Sequence, residues 1–495
     1  MIQTMQSPTT AALPQYEISE ADKARQKAIQ AAWQAYDGLL DPPLQKMPDG
    51  TDPNVMSNRM GPIVDRGIDF LFGKELEISV EEDAPKEAQD FLNETWGRKE
   101  ARIPLLQDLA MNGAMAGRAF LRIVPTPDSS FRLVVVDPAT VFAQTAPQDC
   151  ETVELYCIEY ATTEKRNGKS VQVYYREEMS RIDPDALQGE EYEERNDTDV
   201  TWQIQHWTKE GERGQWQAAG EPIEWPYPFA PLFSCKNLPR PNDFWGKPDI
   251  TPDLIGVNKS LNLTQSCINL VNILYGHPIL YATGTGEQVI DIKPGKIIGL
   301  PLGESKIVAV PIASDMANAL AFADNLRSDL DEQSSVPGVA TGRIKDLPRG
   351  NMSGIALELL FMPLLLKTEK KKCLYGQLLL EVSNALLVLN KMSEDIDITL
   401  AWQGALPKDD LQAAQAAVAL KGLGISDTTL QRSLGYDPDE ELALSQSEDA
   451  QKLLAYSRGT GLPPSPQNAN QQQTQQQPPE PPSPFIGGGQ QGRHP

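Results

Sequence analysis

Gly168, Lys169 and Ser170 stand in the order that closes a phosphate-binding loop, in which backbone amides and the lysine cradle a nucleotide. The spacing defeats that chemistry. Thr163 occupies the place of the first glycine, and strand-like residues continue where a helix should follow. The segment Arg166-Asn167-Gly168 reads instead as a β-hairpin turn. Gly284-Thr285-Gly286 lacks the third glycine of a dinucleotide loop and also reads as a turn. The three histidines, His206, His277 and His494, have no His, Cys or Glu at metal-ligand spacing. Acidic pairs (Glu177/Glu178, Glu193/Glu194, Asp437/Asp439/Glu440) could exchange protons with a substrate. In a chain with 68 Asp plus Glu they read as solvated surface. No catalytic residue, metal or cofactor is expected, and the chain does not read as an enzyme.

Two cationic features remain. The stretch 336–351 holds Pro337, Gly338, Gly342, Pro348 and Gly350, so it is neither helix nor strand. Its charges are Arg343, Lys345, Asp346 and Arg349, a net positive loop in an acidic chain. It is either an ordinary solvated connection or a mobile basic loop beside something anionic, with Gly342 and Gly350 as hinges. Lys367, Lys370, Lys371 and Lys372 lie in a helix, where a solvated face paired with acidic neighbours is preferred to a DNA site.

The elements that must position these residues follow from periodicity. Residues 251–275 carry Leu254, Val257, Leu261, Ile268, Val271 and Leu274 at the spacing of one helical stripe. At about 1.5 Å per residue this helix spans roughly 37 Å. A return helix is expected over 314–332, with a small β insert between the two. The pair reads as a stalk, which buries its stripe most easily against copies of itself. A long helix over 354–390 follows, bent at Pro363, where a backbone hydrogen bond is lost. Before the stalk, helices are expected over 19–36, with a capping box at Ser19 and Asp22, and over 55–72, 85–96 and 103–115. Strands are expected over 77–80, 119–124, 131–136, 155–160, 171–175 and 201–206. A strand over 396–402 and short helices over 408–456 come after. The Gln-, Pro- and Gly-rich stretch 459–495 has too few apolar residues to offset the entropy of ordering and is expected to be disordered.

Composition narrows the class. The chain has 495 residues and a formal net charge of −24, so it cannot coat nucleic acid by neutralising phosphates. Five cysteines without a CxxC pair read as reduced thiols. No signal peptide is expected at the N-terminus. The apolar run 355–366 contains Glu358 and falls short of the roughly 20 residues that a membrane span needs.

Three runs carry a family resemblance. Ile63-Val64-Asp65 precedes Phe70-Leu71-Phe72-Gly73-Lys74. Pro231-Leu232-Phe233 leads through Asn237-Leu238 to Gly246-Lys247-Pro248-Asp249. Asn351-Met352-Ser353-Gly354-Ile355-Ala356 opens the helix that continues through 364–372. In this order, with helix, insert, helix, loop and bent helix between them, the chain over 16–456 resembles the portal proteins of tailed double-stranded DNA bacteriophages.

The resemblance implies an α+β subunit that assembles as a ring, typically of twelve copies. It implies an N-terminal wing (1–245), stem helices (246–276 and 312–335), a clip with the β insert (277–311) and a tunnel loop (336–351). It further implies a kinked helix with a wing strand (352–405) and a helical crown (406–458), ahead of the tail (459–495). The implied function is a DNA channel at one capsid vertex of the virion, assembled in the host cytoplasm. The terminase large subunit packages the genome through it, and the genome later leaves by it. Major capsid and scaffolding proteins surround the ring, and head-completion or adaptor proteins dock on it. Arg343, Lys345 and Arg349 would then meet the DNA backbone without reading bases. Lys293, Lys296 and Lys306 in the clip would meet acidic groups of terminase or adaptor. A different virion ring component, such as a head–tail connector, or a soluble enzyme of unknown class, are the rival readings.

Overall fold

The computed structural model describes residues 14–81, 84–97, 99–128, 130–166, 169–182, 202–276, 280–283, 306–309, 316–343, 354–392 and 396–404, with 420–421, 426 and 428–430 beyond them. The chain divides into two units, Met1–Pro407 and Lys408–Pro495. Every element below belongs to the first. The helices expected over 408–456, and the tail, lie almost wholly outside the described residues.

Helix α1 (Glu20–Tyr36) opens on the expected capping box. Ser19 Oγ accepts the Asp22 amide at 3.1 Å, and the Asp22 carboxylate accepts the Ser19 amide at 3.0 Å. Helix α2 (Met60–Phe72) starts later than its apolar pattern suggests. The residues ahead of it are held extended, because the amides of Val55 and Ser57 donate to Ser266 Oγ and Asn262 Oδ1, each at 2.9 Å. Asn58 Oδ1 then accepts the Met60 amide at 3.0 Å, where the helix can begin.

Strand β1 (Leu76–Val80) and helices α3 (Lys86–Trp96) and α4 (Lys99–Ala116) follow. Next come β2 (Arg118–Pro125), β3 (Phe131–Val136), β4 (Val141–Ala146), β5 (Asp149–Arg166), β6 (Lys169–Arg181), β7 (Trp202–Glu210), β8 (Gln217–Ala218), β9 (Ile223–Trp225) and β10 (Leu232–Lys236). Strands β4-β5-β6-β7-β8 form one antiparallel sheet, with β9 also on β7, while β10-β2-β3 form another. The β5–β6 hairpin pairs Arg166 with Lys169, which puts Lys169 at a tight turn and not at the mouth of a helix. Strands β4, β8, β9 and β10 have no counterpart in the periodicity reading; all are short, and β10 lies in the Pro- and aromatic-rich segment that reads as irregular.

The segment expected to form a stalk contains α5 (Pro252–Gly276), the hairpin β11 (Leu280–Thr283) with β12 (Lys306–Ala309), and α6 (Met316–Ser334). Helix α7 (Gly354–Leu389) remains one element through Pro363. Strand β13 (Ile398–Trp402) then returns to pair antiparallel with β1, Leu76 opposite Trp402.

One apolar core joins α1–α7 through Leu71, Phe72, Trp96, Leu109, Leu330, Leu364, Leu378 and Leu386, all buried. Each large side chain buried there contributes about 1.5–3 kcal/mol relative to exposure. Trp96 satisfies its indole N–H on Ser383 Oγ of α7 at 3.0 Å. A second core, built on Phe120, Val141, Tyr156, Met179 and Trp202, lies under the large sheet. Residues Ala356–Leu389 are long and apolar enough to cross a membrane, but 56% of the apolar window is buried inside the subunit, as in a core helix. The α5 stripe is only partly apolar in its burial. Leu254 and Leu261 are covered, but so are Asn258, Asn262 and Ser266, the last two bonded to the extended segment ahead of α2.

The α4–β2 turn meets the run into α5 at close quarters. Gly117 has φ +88°, and a Cβ there would stand 3.0 Å from the Trp245 carbonyl oxygen and 3.1 Å from that of Gly246. Gly211 has φ +68° but open space around it. Gly117→Ala combines left-handed strain with a backbone clash and should cost about 2–4 kcal/mol. Gly211→Ala carries the strain alone and should cost about 1–2 kcal/mol. Chemical denaturation of both variants checks the ranking; equal losses would refute the close-approach argument.

Candidate functional site

Of the basic loop, residues 336–343 are described. Val336 is buried, and tight turns follow: the Ala340 amide donates to the Pro337 carbonyl at 2.9 Å and the Arg343 amide to that of Gly338 at 2.8 Å. Gly342 sits at φ +91° in open space, a conformation that suits glycine. Arg343 forms an ion pair with Asp331 of α6, so its guanidinium is held at the root of the loop. Lys345, Arg349 and Gly350 lie outside the described residues, as do Lys293 and Lys296. Lys306 opens β12 opposite Thr283, and its side chain is not described. Pro363 is an exposed residue within α7. Of the six sequence-selected cations, Arg343 alone has a described side chain.

The structure assembles a different constellation beside the loop. Lys367 and Lys371, one turn apart on the same face of α7, both reach Asp249, three residues before α5. Lys371 donates to Asp249 Oδ2, and both side chains are almost wholly enclosed. Lys367 Nζ lies 2.8 Å from Asp249 Oδ1, at an angle poor for a hydrogen bond, and donates at 2.9 Å to the Ser334 carbonyl. That carbonyl is among the last of α6, where intrahelical partners run out and a cation is welcome. One turn of α7 thus fastens the start of α5 and the end of α6. The expectation of a solvated lysine face is corrected here: Lys371 and Lys367 turn inwards because a carboxylate is buried beneath them.

The electrostatics are those of two ammonium groups sharing one carboxylate. Burial raises the Asp249 pKa, but Lys367 and Lys371 outweigh it and hold the carboxyl well below its ordinary range. Burial lowers the Lys371 pKa, opposed by Asp249 and reinforced by Lys367. The joint extends into the first unit's core. The Asp249 amide donates to the Ala114 carbonyl at 2.8 Å. Tyr375 Oη donates to Asn237 Oδ1 at 3.2 Å, and the Asn237 amide to the Gly117 carbonyl at 2.7 Å.

A second correction concerns Glu177 and Glu178. Neither is solvated surface. Glu178 is buried and accepts the amides of Gln15 and Tyr16 at 2.9 and 3.0 Å, beside Arg176. Glu177 takes Arg122 in a two-pronged pair at 2.9 and 2.6 Å. The Glu193/Glu194 and Asp437/Asp439/Glu440 groups lie outside the described residues. All five cysteines are unpaired with one another, and burial pushes the thiols of Cys157 and Cys235 up to about 12.

The family model for phage portal proteins of the SPP1 Gp6-like type matches residues 21–453, and the chain belongs to that family. It is accordingly a structural component of a phage virion, the portal between head and tail, and not an enzyme. No curated protein matches it. Solved structures with likeness include a chain from the virion of a native gene transfer agent particle, 13% identical with a TM-score of 0.36, covering 76% of this chain and 90% of that one. Another comes from the neck of that native particle, computed with C12 symmetry, 13% identical with a TM-score of 0.40, covering 76% and 91%.

Asp249→Asn leaves two lysines without their counter-charge and should cost about 3–5 kcal/mol, much of it recovered by adding Lys371→Met. Because the Asp249 pKa is depressed in the folded state, its contribution is complete above the ordinary aspartate value of about 3.9. It is lost as pH falls through the folded-state value. Denaturation midpoints measured against pH should show this acid limb in the parent and not in Asp249→Asn.

Proposed function

We propose that copies of this chain close into a ring of twelve at one capsid vertex. Through its channel the terminase large subunit drives the double-stranded genome, which later leaves by the same path. Major capsid and scaffolding proteins surround the ring during assembly in the host cytoplasm, and head-completion or adaptor proteins dock on it. The family match over 21–453 carries this reading. The stalk supports it, because Leu263, Tyr275, Leu320 and Phe322 are about half exposed on a single subunit. A closed head-to-tail ring offers each copy a neighbour to cover them.

The charge fits a channel that passes DNA without holding it. Twelve copies at −24 carry about −288 formal charges, so phosphates meet repulsion over most of the surface. In this reading Arg343, Lys345 and Arg349 of the loop touch the DNA backbone, Gly342 and Gly350 let the loop move, and Pro363 sets the bend of α7. Lys293, Lys296 and Lys306 meet acidic groups of terminase or adaptor.

Negative-stain electron microscopy with mass photometry of the purified chain should show rings of about twelve copies around a central hole. A particle that stays small with its capsid partners present would overturn the ring. Replacing Arg343, Lys345 and Arg349 with alanine should alter retention of packaged DNA while ring assembly survives; unchanged packaging and retention would remove their role. Charge reversal at Lys293, Lys296 and Lys306 should weaken terminase binding, and intact binding would refute that contact.

A further inference from the structure

Three arginines from separate parts of the first unit face one cavity of about 1090 Å³. Arg59 comes from the residue before α2, Arg327 from the middle of α6 and Arg343 from the end of the turns after α6. Two carboxylates of α6 are already engaged. Asp331 pairs with Arg343, and Asp324 pairs with Arg327 from a side chain that is 74% exposed to water. Glu332 also lines the wall. Arg59 Nε is buried without a hydrogen-bond partner, and Asp324 and Asp331 are paired with the other two arginines. Burial first, then the charges of Arg327 and Arg343, lower its pKa, against a raising effect of Asp331. Three guanidiniums and three carboxylates thus line a space large enough for a ligand.

We infer that this cavity is a binding site for a phosphate-class oxyanion, recognised by Arg59 and Arg327 with Arg343 as the third wall. A planar carboxylate offers two oxygens, which suits one guanidinium fork. A tetrahedral phosphate presents oxygens in several directions and can serve forks arriving from three elements. The volume exceeds that of a bare ion and accommodates a phosphate ester. The anion comes either from free phosphate or from a DNA phosphodiester; only the second source rests on the channel reading above.

The test is calorimetric titration of inorganic phosphate into the full chain in a buffer free of other oxyanions. Saturable binding is expected, at least tenfold weaker in Arg59→Gln and in Arg327→Gln, and weaker in Arg59→Lys, which keeps charge but loses the fork. Asp324→Asn, at an exposed position that should not disturb folding, should tighten binding by removing a competing carboxylate. A short DNA duplex then separates the sources. Competition between duplex and phosphate assigns the site to a phosphodiester, whereas phosphate binding without competition assigns it to the free ion. Absence of saturable phosphate binding by the parent, or equal affinity in all four variants, overturns the site. Ring formation, scored separately by microscopy, tells a failure here from a failure of the channel reading.

Discussion

Asp249 holds a full negative charge in a place without water, and the geometry around it follows from that one demand. Removing an ion from water costs several kcal/mol even after the protein relaxes, so the carboxylate persists only with Lys371 and Lys367 against it. Those two lysines fix which face of α7 turns inwards and how far α7 may slide along its axis. Because Lys367 also takes the Ser334 carbonyl, the same requirement sets where α6 ends relative to where α5 begins. The run into α5 and the end of α6 are therefore both referred to a single helical turn. The Asp249 amide on Ala114 and the Tyr375–Asn237 bond carry that reference into α4 and β2.

Such a joint suits a portal subunit. Helices joined to their neighbours by apolar contacts alone could rotate, since hydrophobic burial is non-directional. Charge-assisted hydrogen bonds are directional and expensive to leave unmade. The same device recurs elsewhere in the first unit, where Glu178 grips the amides of Gln15 and Tyr16 and Arg176 donates to the Tyr16 carbonyl at 2.8 Å. The chain entering α1 is thereby tied to strand β6. Apolar residues fill the two cores, while a few buried ions set the register between elements.

Much of the architecture was legible in sequence. Helix α5 runs Pro252–Gly276 where 251–275 was expected, and α7 ends at Leu389 where 390 was expected. Both carry long apolar periodicity closed by strong stop signals. The capping box at Ser19 and the hairpin before Lys169 are local, and local chemistry suffices to recognise them. The apolar pattern alone starts α2 too early, because the residues that hold 55–57 extended are Asn262 and Ser266, more than two hundred positions away. Strand β10 hid among prolines and aromatics because its partner β2 lies more than a hundred residues back. Arg59 and Arg327 gave no signal, since a convergence of single arginines on different elements has no spacing to detect.

What the sequence determined by itself is governed by neighbours within a few turns: the long helices, the capping box, the β5–β6 hairpin and the acidic balance of the chain. It also carries, in the order of three short runs, the resemblance to phage portals that the family match establishes. Only the tertiary structure decided which charges are solvated. Lys371 and Glu178 look in sequence like the exposed Lys370 and Glu369, and their roles differ because folding removed water from one set and left it around the other. Desolvation is a property of the packed environment, and no pattern along a strand or helix encodes how much of it a given side chain will meet.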